Sequence, residues 1–279
     1  MKVERTYLKE LYPKLGENDC NAYVDCYIPT PMYEMGTEML HRKYPCMVIC
    51  PGGGYVKVSE RESEPIAMQF VGEGYRVFVV HYSVAPHGFP QALREVAGVV
   101  EMIHCHAEEW NIDKSKIALM GFSAGGHLAA QYANRYDCSE VRTLFPNSKP
   151  VNANILNYAV ITADPEYKHV RSISTFVGHE PKNVEEKGCS CELLVTEKTP
   201  PTFLWHTSED EVVPVENSML YAMALRKHKV PFELHIYPYG PHGLGTVDKL
   251  VNVDVTPRVK RAHKWICEVK EWLAMQLDY

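Results

Sequence analysis

The signatures that would place this chain at a glance are mostly missing from it. There is no basic stripe of the kind nucleic acid demands, and the net charge is mildly acidic at −6. No apolar run approaches the ~20 residues that cross a bilayer, so neither nucleic acid nor membrane is an expected partner. The opening stretch Met1–Thr6 is charged and lacks the apolar core of a secretory leader, which sets the expectation of a cytoplasmic location. Internal repeats and low-complexity linkers are absent. The nine cysteines are odd in number and mostly sit inside apolar runs, as with Cys46, Cys50 and Cys267. Buried free thiols are expected, not a disulfide framework. Metal-site spacing is also wanting. Cys189-Ser190-Cys191 has no second pair to match it, and His104-Cys105-His106 falls in a helical pattern, so no metal is expected.

What remains is an ordinary globular composition, 46% hydrophobic over 279 residues, enough for one large domain with a substantial core. Strand-like and helical segments alternate, which points to a mostly parallel sheet with helices on both faces. Asn21–Ile28 reads as an early antiparallel strand. Cys46–Cys50, Arg76–Tyr82 and Ile117–Met120 read as buried strands, followed by Asn154–Thr162, Thr202–His206 and Phe232–Tyr237. Helices are expected over Pro65–Val71 (with Ser63 or Ser59 as cap), Gln91–Trp110, the stretch after Ser123, Val215–Lys227 and Val259–Leu277. Residues 138–153 and 164–200 read as irregular surface excursions, the second near the site, and 1–45 as N-terminal strands and lead-in. The expected organisation is one domain over 1–279.

Gly121-Phe122-Ser123-Ala124-Gly125 is the most telling stretch. It lies between a strand and a helix, a turn that strains a serine backbone and projects its hydroxyl, with small neighbours letting the two elements approach. A serine hydroxyl is a poor nucleophile unless a base takes its proton, an acid orients that base, and donors receive the developing oxyanion. Among 13 histidines, His242 stands apart because it follows a strand in Gly240-Pro241-His242-Gly243. His127 lies one helical turn beyond Ser123 and should point along its helix; His206 ends a strand near the site. For the acid, the strand before supplies Glu209-Asp210-Glu211. Asp210 is preferred, with Glu209, Glu211 and Asp164 as alternatives. Pro51-Gly52-Gly53-Gly54-Tyr55 follows a buried strand without side chains to block a ligand, so the N–H groups of Gly52 and Gly53 are expected to act with that of Ala124. The run lacks a P-loop ending and does not fit the dinucleotide fingerprint.

In that order, these parts resemble the α/β-hydrolase fold. More closely, the chain is similar to the esterase/lipase branch related to hormone-sensitive lipase, bacterial acetyl esterases and acetylxylan esterases. The stretches that carry the resemblance are Pro51–Tyr55, His81–Pro86, Gly121–Ala129, Thr207–Pro214 and Pro241–Gly243. It implies a serine carboxylic-ester hydrolase: attack by Ser123, base and acid work by His242, orientation by Asp210, and no cofactor. It also implies a small-molecule ester substrate, short acyl and preferably acetyl, with carbohydrate such as a xylo-oligosaccharide as the alcohol portion. Such relatives begin the glycine run with histidine, where this chain has Pro51, so a side-chain hydrogen bond steadying the loop is lost. About 45 residues precede the first central strand, short for a helical cap, which implies an open site. Tyr55 and Tyr82 are candidates to stack on substrate, as are Trp205 and Tyr239. A general carboxylesterase or lipase, or an amide hydrolase of the arylformamidase or peptidase type, would use the same residues. A binding protein on an inactive hydrolase scaffold would be marked by a missing serine or histidine, and neither is missing. The sequence leaves homo-oligomerisation open.

Overall fold

The computed structural model describes residues 1–30 and 41–279, so part of the expected lead-in, 31–40, lies outside the described residues. Eight strands form one sheet: β1 (Lys2–Tyr7), β2 (Tyr23–Ile28), β3 (Tyr44–Cys50), β4 (Arg76–His81), β5 (Ile112–Phe122), β6 (Ala153–Asn157), β7 (Thr202–Thr207) and β8 (Phe232–Tyr237). Their order is β1-β2-β4-β3-β5-β6-β7-β8. β1 and β2 run antiparallel at one edge, and β4 through β8 are joined in parallel.

Parallel strands buried on both sides need an apolar interior, and Cys46–Cys50 of β3 and Val77–Val80 of β4 supply it. Cys46, Val48 and Cys50 face one core, while Met47 and Ile49 face the other. Among the described residues, six helices of eight residues or more cover these faces. α2 (Gln91–Cys105), α3 (Ser123–Arg135), α4 (Val170–Val177) and α5 (Glu216–Lys227) pack on the first, through residues such as Val96, Leu128, Phe176 and Tyr221. α1 (Glu64–Val71) and α6 (Trp265–Leu277) pack on the second, through Ile66, Phe70, Trp265 and Trp272.

Several elements depart from the sequence reading. N-terminal strands are expected, but β1 is not located by the pattern, because Lys2-Val3-Glu4-Arg5 carries no buried face; it is an edge strand whose charges discourage further pairing. α2 stops at Cys105, not Trp110. The segment Asn154–Thr162 is buried throughout, yet it pairs as a strand only to Asn157. Tyr158 turns it with φ 36°, and the N–H groups of Ile161 and Thr162 go to the Asn217 side chain. Burial alone therefore does not make a strand there. The last helical stretch breaks into Pro257–Lys260, a tighter turn over 261–264, and α6. α4 lies inside the excursion read as irregular. Ser63 precedes α1 but its hydroxyl donates back to the Ser59 carbonyl, so no serine side chain caps the helix. All nine cysteines are free thiols, and six of them are buried, but Cys267 is exposed on α6, against expectation. No helix of the described residues is long and apolar enough to cross a membrane.

Candidate active site

Because β3, β5, β7 and β8 are parallel, the loops that leave their C-terminal ends converge on one edge of the sheet. Ser123 follows β5, the glycine run follows β3, Asp210 follows β7, and His242 follows β8. Ser123 has φ 52°, a left-handed conformation costing roughly 1–3 kcal/mol for a residue with a side chain. Close packing enforces it. A Cβ at Gly125 would sit 2.1 Å from the Cys50 carbonyl oxygen, so only glycine lets α3 start against β3.

The Ser123 hydroxyl lies 2.8 Å from His242 Nε2, and His242 Nδ1 lies 2.6 Å from Asp210 Oδ2. A carboxylate only accepts, so Nδ1 carries the proton, Nε2 is bare, and the serine donates to it. Asp210 Oδ1 accepts the N–H groups of Val212 and Val213, each at 2.9 Å. His206 Nε2–H is shared between Asp210 Oδ2 and the Val213 carbonyl, while its Nδ1 accepts the Ser218 hydroxyl. Burial opposes ionisation of Asp210. Hydrogen bonds from His206 and His242, the charge His242 carries once protonated and the Val213 N–H outweigh it and hold the carboxyl well below its ordinary range. The rival acids are elsewhere: Glu209 receives the Gly240 N–H, and Asp164 that of Glu166. His127 is fully buried, donating to the Cys189 carbonyl and accepting the Tyr55 hydroxyl, with burial pushing its pKa down to about 4.

The glycine run needs one correction. Gly52 N–H is not free: it donates to Glu62 Oε2 at 2.8 Å, and Glu62 is only 3% exposed. The following peptide is pinned by Ser59 N–H, which donates to the Gly52 carbonyl at 2.9 Å. In a trans peptide the C=O and N–H point opposite ways. Gly53 N–H is thus turned from Ser59, and it has no acceptor among the described residues. Gly53 takes φ 126°, and a Cβ there would lie 2.1 Å from the Lys57 carbonyl. Ala124 N–H, in the first turn of α3, has no partner within the helix. Gly53 and Ala124, not Gly52, are therefore the donors at hand.

A cleft of about 710 Å³ opens over Ser123 and His242. Gly53, Gly54, Val58, Arg61, Glu62 and Val212 line it, and the excursion at α4 contributes His169 and Arg171. Burial and the neighbouring His242 and Arg171 push the His169 pKa down. Tyr55 and Tyr82 do not line the cleft. They are 3% and 2% exposed, the Tyr55 hydroxyl reaching His127 and the Tyr82 hydroxyl donating to the Pro51 carbonyl at 2.7 Å. Both are placed behind the loop, where no sugar can stack; Trp205 is buried as well. Sequence reasoning missed Glu62, Tyr158, His169 and Arg171. Glu62 lies in Ser-Glu-Arg-Glu-Ser-Glu, which looks like any solvated acidic loop. The one hint was Pro51, which left the glycine loop without a steadying side chain.

The sheet order and the placement of these loops are those of the α/β-hydrolase fold class. The family model BD-FAE matches residues 35–225, and the chain belongs to that family. It is 40% identical over 212 residues to endo-1,4-beta-xylanase B of Butyrivibrio fibrisolvens, covering 72% of this chain and 33% of that protein. It is 32% identical over 202 residues to an acetylxylan esterase of Xylanibacter ruminicola, covering 70% and 40%. The alignments therefore span well under half the length of these two relatives. A crystal structure of an acetyl ester-xyloside bifunctional hydrolase from Caldicellulosiruptor lactoaceticus superposes with a TM-score of 0.78 at 34% identity, covering 96% of both chains.

Proposed function

We propose that this protein is a serine carboxylic-ester hydrolase that cleaves short acyl esters, acetyl above all, from a carbohydrate alcohol such as a xylo-oligosaccharide. The observation that carries this reading is the hydrogen-bonded chain Ser123–His242–Asp210 beside two unpartnered N–H groups. Ser123 Oγ attacks the ester carbonyl carbon while its proton passes to His242 Nε2. The oxyanion forms toward Gly53 and Ala124 N–H, with the positive end of α3 behind it. His242 then gives the proton to the departing alcohol. Water, deprotonated by the same nitrogen, cleaves the acyl-serine and releases the acid. Asp210, kept anionic, orients His242 and stabilises its charged form. The open cleft and the acetyl-xylose chemistry named for the relatives support the substrate class. The site residues, their roles and the single-domain organisation belong to the same proposal.

The test is hydrolysis of 4-nitrophenyl acetate and of acetylated xylo-oligosaccharides, with a fluorophosphonate label mapped by mass spectrometry. The expected result is a burst, labelling at Ser123, and a fall in kcat of at least about 10³-fold in Ser123→Ala. Activity retained by Ser123→Ala would defeat the mechanism. A preference for long acyl chains would defeat the short-acyl assignment.

A further inference from the structure

We propose that Glu62 is a positioning residue that sets the oxyanion-binding loop, doing from position 62 what a side chain at position 51 cannot do here. The inference rests on the serine-hydrolase reading above. Pro51 has no side-chain donor, yet the loop after β3 is held at three points. Tyr82 O–H donates to the Pro51 carbonyl, Gly52 N–H donates to Glu62, and Ser59 N–H donates to the Gly52 carbonyl. The first two bonds fix one peptide plane and the third fixes the next. Gly53 N–H is left as the group that can turn toward the reacting carbonyl. Rotating the Pro51–Gly52 plane would break the Glu62 bond and strand a buried carboxylate oxygen, a costly event.

The other end of Glu62 reaches the histidine loop. Its Oε1 accepts the Tyr158 hydroxyl at 2.7 Å, and Tyr158 oxygen accepts Gly245 N–H at 3.0 Å, three residues past His242. The Tyr158 ring stands edge-on to His242, with centroids 5.1 Å apart. Glu62 and the nucleophile both crowd the same face of Gly52. A Cβ built on Gly52 would lie 2.7 Å from Glu62 Oε2 and 2.9 Å from Ser123 Cβ. One buried carboxylate thus ties the oxyanion loop to the loop that carries the base. A charge placed only for solubility would be solvated, and this one is not.

Oxyanion donors act on the transition state and hardly on the bound ester, so the signature is in kcat and not in KM. Glu62→Met keeps the length and removes both acceptors. Its kcat should fall about 10- to 100-fold, below the loss of a whole oxyanion donor, with KM held within about threefold. Glu62→Gln keeps an oxygen for Gly52 N–H and should recover most of that loss. The rate advantage of an oxygen ester over its thionoester, which reports on hydrogen bonding to the oxyanion, should shrink in Glu62→Met and hold in Glu62→Gln. If Glu62→Met does not fold, Tyr158→Phe tests the same link: kcat should drop several-fold at unchanged KM.

Wild-type kcat in Glu62→Met overturns the proposal, as does a fall in kcat with an unchanged thiono ratio. Wild-type kcat in Tyr158→Phe also overturns the link between the loops. Fluorophosphonate labelling of the wild-type protein separates the two failures. A wild type that does not label at Ser123 defeats the hydrolase reading. A wild type that labels while the variants match it defeats only the role of Glu62.

Discussion

Asp210 and Glu95 are both sunk in this protein, and their surroundings push them in opposite directions. Asp210 accepts from His242, His206 and two backbone N–H groups, and it is held well below its ordinary range. Glu95, on α2 behind the loop after β4, accepts from the Ser83 N–H, the Ser83 hydroxyl and the Gln91 amide. Those bonds offset only part of its burial, which drives its pKa up to about 7. The count of hydrogen bonds is nearly the same. What differs is that Asp210's donors include imidazoles able to carry positive charge, whereas Glu95's are all neutral. Among neutral donors the Glu95 carboxyl is drawn toward its neutral form, whereas Asp210 is held as the anion beside an imidazole that can become a cation.

The sharpest way to break the comparison is to remove Asp210's charge. Asp210→Asn keeps the size of the side chain but favours the wrong His242 tautomer, so kcat on an acetyl ester should fall by about 10³–10⁴-fold. Steady-state kinetics check it, and a fall under about tenfold would mean another group orients His242. The same variant should lose part of the acid limb of stability. With its pKa lowered from 3.8 in the fold, Asp210 contributes stability that is fully present above about pH 4 and is lost as pH falls further.

Glu95 should show the reverse slope. Between its ordinary 4.5 and its folded value of about 7, the native state holds a proton that the unfolded chain has released. Stability therefore falls as pH rises through that window, by on the order of 3 kcal/mol for this one group. Glu95→Gln removes the term. Urea unfolding at pH 4, 6 and 8 should find the variant gaining on the wild type by about that much across the series. A constant difference between the two proteins would mean that Glu95 is ionised throughout, and the contrast with Asp210 would collapse.

The same contrast explains what is legible in the amino-acid sequence. Asp210 is legible because the fold puts a needed acid after β7, and a chemical requirement points at a place in the chain. Ser123 and His242 are legible for the same reason. β3, β4 and β7 are legible because each contains a short apolar run, Cys46–Cys50, Val77–Val80 and Phe203–Trp205, which suits a strand buried on both faces. Glu62 and Glu95 answer to no local rule. Each is buried by contacts with residues that only the folded chain brings near, Tyr158 and Gly52 for one and Ser83 for the other. Tyr55 and Tyr82 mislead for the mirror-image reason. Nearness to the site in sequence suggests that they face it, whereas their hydroxyls brace it from behind. Asn154–Thr162 overruns the true strand because its later N–H groups end on the Asn217 side chain, a partner that hydrophobic pattern does not encode.

The finest test concerns how much of Asp210's character comes from His206. That ring is fully buried, donating through Nε2 to both Asp210 Oδ2 and the Val213 carbonyl, at 3.2 and 3.0 Å. The longer, shared bond should matter less than the 2.6 Å bond to His242. His206→Phe fills the space but withdraws the donor, leaving Asp210 a less well held anion. The expected fall in kcat is about tenfold, in line with a hydrogen bond to a charged group. KM should be unchanged, since His206 does not line the cleft. His206→Gln, which can still donate, should fall less than His206→Phe. If both variants keep wild-type kcat, then His242 and the backbone N–H groups of Val212 and Val213 suffice to hold the anion. The difference between Asp210 and Glu95 would then rest on one imidazole instead of two.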